Sequence, residues 1–90
     1  MESPKLKIGD IIMLIYMEDP NPVDTMSLGV VRTGAISVFG DDQYDVNWED
    51  GRKLAIISGV DRWETEKSLI DKGNEKLLRV MRRKLENFNK

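Results

Sequence analysis

Acidic side chains are the first candidates for chemistry in this sequence. Asp41, Asp42 and Asp45 are close enough along the chain to converge as oxygen ligands for Mg²⁺ or Ca²⁺, cations that take several carboxylates together. Their spacing, Asp-Asp-x-x-Asp, lacks the Gly and the distal bidentate Glu of a calcium loop, so a solvated turn is the simpler reading. Glu49 and Asp50 are adjacent like a general acid/base pair, but residues beside a hairpin turn rarely reach the burial that separates two carboxyl pKa values. Cys and His are both absent. Thiolate or imidazole zinc sites, thiol nucleophiles, Ser-His triads and histidine acid/base chemistry are therefore impossible within one chain. The expectation is a protein that is not an enzyme, with no catalytic residue, no resident metal and no cofactor.

Binding chemistry has better material. Lys72, Lys76, Arg79, Arg83 and Lys90 fall on one helical face, with Arg82 and Lys84 to either side, and such a row can neutralise successive phosphates. Against this stands the ordinary charged face that meets only water, with Glu75 and Arg79 as an i, i+4 support pair. Lys72, Lys76, Arg79 and Arg83 are taken forward as the nucleic-acid candidates. Tyr44 and Trp48 share one strand face, as stacking residues do where bases are bound. Val46 lies on the same face, which favours core packing. Tyr16 and Trp63 border the acidic loop, so Tyr16, Asp19, Pro20, Pro22 and Trp63 form the candidate protein-binding set.

These residues need a scaffold, and ninety residues supply one small domain with no room for a second core. Hydrophobic residues at 40% and charged ones at 33% suit a packed globular chain rather than a disordered one. Gly9-Asp10 opens the run Ile11 to Met17, apolar at every position, so this strand needs cover on both faces. Glu18 to Ser27, with Pro20 and Pro22, reads as a long exposed loop. Leu28 to Val38 reads as a second strand in which Gly29 and Gly34 mark bends or bulges. After the turn Gly40 to Gln43, the alternation Tyr44, Val46, Trp48 predicts a half-buried strand. Asp50-Gly51 predicts a hairpin with a type I′ turn, Lys53 to Ile57 is the return strand, and Val60 to Trp63 is a short turn or last strand. Four or five such strands predict a bent sheet that closes into a barrel.

From Glu64 the pattern becomes helical. Gly73 interrupts it and Asn74 caps a second segment running to about Asn87. Leu77, Leu78, Met81, Leu85 and Phe88 fall within about 100° of arc, with Ile70 joining them if the helix is continuous. That apolar face is expected to lie on the barrel or on a second subunit of a homo-oligomer. The chain therefore divides into a barrel over 1–63 and a helical extension over 64–90. The first part carries 11 acids against 6 bases, and the second 5 acids against 8 bases. The longest apolar run has seven residues, far short of the roughly 20 that span a bilayer, and Met1-Glu2-Ser3-Pro4 lacks a signal pattern. A cytoplasmic protein without membrane attachment is expected.

The order Lys7-Ile8-Gly9-Asp10, Leu14-Ile15-Tyr16-Met17, Asp19-Pro20-Asn21-Pro22-Val23, Gly29-Val30-Val31, Asp45 to Arg52, Leu54 and Gly59-Val60-Asp61-Arg62 resembles a family of small bacteriophage and mobile-element domains of unknown function. The likeness covers about residues 5 to 63. More loosely, the Gly-Asp entry turn followed by Gly-Val-Val resembles KOW and SH3-like barrels. Where the family has Pro-Pro-Gly-Thr before its second strand, this chain has Asp24-Thr25-Met26-Ser27. The resemblance implies a mainly β (α+β) fold, a small SH3-like barrel of four or five strands followed by a C-terminal amphipathic helix. It also implies a phage-encoded protein acting in the host cell. The function expected is that of a regulatory or anti-defence binding protein that engages a host protein of transcription or defence, or nucleic acid. The alternative expectation is a small-molecule binder that sequesters a nucleotide signal.

Overall fold

A computed structural model describes residues 3–88. Six strands, β1 (Ile11–Tyr16), β2 (Leu28–Val31), β3 (Ile36–Val38), β4 (Asp41–Trp48), β5 (Lys53–Ile57) and β6 (Arg62–Glu64), precede two helices, α1 (Glu66–Lys72) and α2 (Glu75–Phe88). All pairings are antiparallel. The order is β6-β1-β2-β4, with β3 following β2 along one edge of β4 and β5 on its other edge. No ladder joins β5 to β6, so the sheet is open.

The segment expected as one strand from Leu28 to Val38 is two. Val31 pairs with Val46 and Ile36 with Gln43, so four residues on one side face two on the other. The slack is taken up at Thr33, whose hydroxyl accepts from the Asp45 N–H at 3.1 Å. Gly29 is no bulge: it sits in regular register opposite Ile12 and Trp48. A Cβ there would stand 2.5 Å from Val46 Cγ1 and 2.8 Å from Trp48 Cε3, so the missing side chain is the space that Trp48 occupies.

Two turns also differ from expectation. The strand β4 begins at Asp41, because the chain reverses at Phe39-Gly40 rather than over Gly40 to Gln43. At Asp50-Gly51 the hairpin forms, but positive φ is confined to Gly51, at 91°. The connection has three residues, with the Gly51 N–H donating to the Trp48 carbonyl and the Trp48 N–H to the Arg52 carbonyl, the pattern of a type I turn closed by a left-handed glycine. Gly51→Val should still cost more than about 1 kcal/mol, because a β-branched residue must take a left-handed backbone. A lowered denaturation midpoint at unchanged slope is the expected result.

Strand β1 has a core on each side. Ile12 and Leu14 join Val31, Tyr44, Val46, Trp48, Ile56 and Trp63 inside the bend of the sheet. Met13, on the opposite face with Leu28, packs against Leu69 of α1 and Met81 of α2, flanked by Leu77, Leu78, Leu85 and Phe88. The helix face covers β1 of its own chain. The extension is two helices divided at Gly73, which adopts the left-handed conformation at φ 68°, and Asn74 Oδ1 accepts from the Leu77 N–H. That break turns Ile70 out to solvent, 51% exposed, and puts Leu69 in the core instead.

Met26 takes a left-handed backbone, φ 72°, a conformation that favours glycine. Its N–H donates to the Leu14 carbonyl at 2.6 Å, and the Ser27 N–H donates to the Asp24 carbonyl, so β1 and the turn together impose the conformation. A left-handed non-glycine residue costs about 1–2 kcal/mol. Glycine gives back about 0.5–1 kcal/mol of this through its freer unfolded chain. Met26→Gly should therefore raise stability by about 0.5–1 kcal/mol, read as a higher urea midpoint.

Candidate functional site

Four of the helix cations are committed to carboxylates. Lys67 pairs with Asp71 at 2.8 Å, Lys72 with Glu64 at 2.7 Å, Arg82 with Glu66 at 2.9 Å and Lys84 with Glu49 at 2.9 Å. The Asp71 hydrogen bond, helped by its charge, holds the Lys67 ammonium above its ordinary value. Lys76, Arg79 and Arg83 are exposed and have no ion pair among the described residues. The expected Glu75–Arg79 pair is not formed. Lys72 does not belong with the other three: it ends α1, beyond the Gly73 break, and its ammonium is held by Glu64. Lys90 lies outside the described residues.

The remaining row is built by α2 alone. Its positions i, i+3 and i+7 share a face, and the opposite face is fixed to β1 and β2 by Met81 and its neighbours. Lys84 adds a second anchor, since Glu49 Oε1 accepts both from its ammonium and from the Leu28 N–H. The row is thus presented on a helix that cannot roll.

The candidate protein-binding set is dispersed. Tyr16 is 51% exposed, Pro20 and Pro22 are exposed and Asp19 is half-buried. Trp63 is not at the surface: it is 1% exposed, meets Tyr44 edge-to-face at 5.9 Å, and its indole N–H donates to the Pro4 carbonyl at 2.9 Å. Burial of its large apolar ring completes the inner core, which removes it as an anchor. The cavity beside Tyr16, of about 470 Å³, is lined by Ile15, Ser58 and Gly59 to Arg62, together with Ser3, and not by the prolines. Val60, 42% exposed, and Arg62 are the residues there that sequence reasoning passed over.

The loop that carries the prolines is pinned rather than free. Met17 and Val23 are buried, Asp19 Oδ1 accepts from the Asn21 N–H, and the Arg52 guanidinium donates to the Asn21 carbonyl. Asp61, 5% exposed, accepts from the Glu18 N–H through Oδ1 and from the Ile57 N–H through Oδ2, each at 2.8 Å. Both oxygens of this buried carboxylate serve the backbone.

Three of the acidic candidates, Asp41, Glu49 and Asp50, have structural roles. Asp41 packs over Gly59, where a Cβ would collide with its carboxylate. Asp50 Oδ1 accepts from the Arg52 N–H within the turn. No group of three potential ligand side chains converges among the described residues, so Asp41, Asp42 and Asp45 do not form a cluster. Tyr44 and Trp48 are buried, with the Tyr44 hydroxyl accepting from the Leu6 N–H and the Trp48 indole donating to the Leu54 carbonyl. No helix among the described residues is long and apolar enough to cross a membrane.

No protein-family model matches this chain, and no curated protein or solved structure does.

Proposed function

We propose that this chain is a non-catalytic binding module, built as an SH3-like barrel left open between β5 and β6 with a helical extension and of bacteriophage or mobile-element origin, that engages host nucleic acid in the cytoplasm through α2. The observation that carries this reading is the unpaired basic row. Lys76, Arg79 and Arg83 remain exposed and unpaired among the described residues while their neighbours Lys67, Lys72, Arg82 and Lys84 are each held by a carboxylate. Three cations along about 10 Å of helix can neutralise phosphates of one strand and release their counterions. The acid excess of residues 1–63 works in the same direction, since the net charge of that part disfavours phosphate. In favour of the barrel are the strand order, with β1 between β2 and β6, and a single core inside the bend.

Fluorescence anisotropy with duplex DNA and single-stranded RNA tests the reading. Three phosphate contacts on duplex DNA should give a slope of about -2.7 for log K against log salt, or about 40-fold weaker binding between 50 and 200 mM. Reversing Lys76, Arg79 and Arg83 to Glu should remove binding and leave the thermal midpoint in place. Failure to bind either nucleic acid at low salt would sink the proposal. A second reading, a host protein held at the cleft of Tyr16 and Val60, rests on the half exposure of both side chains. It predicts that Tyr16→Ala abolishes complex formation and that the triple reversal spares it.

A further inference from the structure

At the tip of the β3–β4 hairpin, side chain and backbone are mismatched. Phe39 and Gly40 occupy the two central positions with φ values of 49° and 85°, and positive φ at both is the mark of a type I′ turn. Gly, Asn and Asp suit such a turn, whereas a bulky aromatic in the left-handed region carries a steric penalty. Phe39 recovers nothing from the core, because it is fully exposed at 103%. Tyr44, Trp48 and Trp63 are all buried by contrast. Ile36, on the same hairpin, is 52% exposed. A strained backbone and an unburied aromatic thus coincide at one residue, and neither serves the fold.

We propose that this hairpin is a docking finger for a second protein, one that offers an apolar pocket rimmed by Lys or Arg. Phe39 fills the pocket as the aromatic anchor. Charge fixes the rest of the partner's chemistry: Asp41 and Asp42 follow the tip directly, and residues 33–43 contain no cation. The same carboxylates disfavour a nucleic-acid strand or an anionic bilayer, either of which would bring phosphate to an acidic tip. The two-residue turn holds the anchor in place beforehand, which lowers the ordering cost of association. The finger is also remote from the basic row. It lies at the start of the eight-residue β4, about 25 Å from the end where Glu49 holds Lys84 of α2.

The test uses the full chain with 4-fluorophenylalanine at position 39 and observes the fluorine resonance. The first probe is a synthetic amphipathic peptide of Leu and Lys, the simplest surface of the proposed chemistry. Its Leu/Glu counterpart, phosphatidylglycerol vesicles and duplex DNA are the other probes. The Leu/Lys peptide should shift the resonance to saturation. Phe39→Asn, which lacks the fluorine and is titrated by calorimetry beside the unlabelled parent chain, should weaken binding about tenfold or more while raising the melting temperature, because the turn loses its strain. Asp42→Asn should weaken binding without changing the turn. An indifferent resonance, an equal response to the Leu/Glu peptide, or undiminished binding by Phe39→Asn would overturn the proposal. So would a response to vesicles or DNA, or a shift with concentration of the chain alone, which would mark a second copy as the occupant.

Discussion

Deletion of residues 74 to 90 should yield a chain that aggregates or melts far below the intact protein. The reason is the two-sided burial of β1. Met13 and Leu28, both 0% exposed, and Leu69 form one cluster with Met81, and Leu77, Leu78, Val80, Leu85 and Phe88 close over it from α2. Each large apolar side chain that passes from full burial to water loses about 1.5–3 kcal/mol, so uncovering three of them removes on the order of 5–9 kcal/mol. A domain of this size holds about 5–15 kcal/mol in total. The loss reaches the scale of the whole stability, and the newly exposed strand face is apolar enough to recruit other chains. Size-exclusion chromatography and a thermal melt of both chains decide the matter. A truncated chain that remained monomeric and melted where the full one does would show that β1 does not depend on its helical cover.

The second large effect is expected at Asp61. Its two carboxylate oxygens hold the Glu18 and Ile57 N–H groups, so one buried side chain fastens the start of the Pro-containing loop to the β5–β6 turn. Hydrogen bonds to a charged group contribute about 1.5–3 kcal/mol each, and their loss leaves two donors without partners. Asp61→Ala should therefore cost about 3–5 kcal/mol. Asp61→Asn keeps one acceptor oxygen and should cost about half of that. Urea denaturation of the pair gives the comparison. Equal midpoints for Ala and Asn would mean that the carboxylate contacts do not carry the stability assigned to them.

What the sequence made legible was what depends on near neighbours. An apolar run at every position of Ile11 to Met17 demanded two-sided cover. Asp50-Gly51 demanded a reversal, and Gly73-Asn74 a helix stop followed by a cap. The failures lie where partners are far apart in the chain. Tyr16 and Trp63 looked alike as aromatics beside a loop, yet one is half exposed and the other buried. The register decides between them: Leu14 pairs with Trp63, a bulge follows, and Tyr16 comes to face Arg62. No local pattern encodes that slip. The basic row was similarly over-read, because Lys72 of the row and its flanking residues Arg82 and Lys84 find their carboxylates 8, 16 and 35 residues away. The tip at Phe39 escaped notice for a different reason, since turn preferences place a small or polar residue at that position.

The placement of β1 between β2 and β6 also governs the order in which the molecule can assemble. Hairpin β4–β5 closes a three-residue connection, so its entropy of closure is small and it can form as soon as both strands exist. The pair Leu14 and Trp63 must instead close nearly fifty residues of chain, the costliest loop in the sheet. On a ribosome, the first strand to emerge therefore waits for the last. Until Arg62 to Glu64 and then α2 are available, the most apolar segment of the protein, Ile11 to Met17, has neither its edge partner nor its outer cover. The interval between synthesis of the two ends is when a nascent chain is most exposed to misassembly.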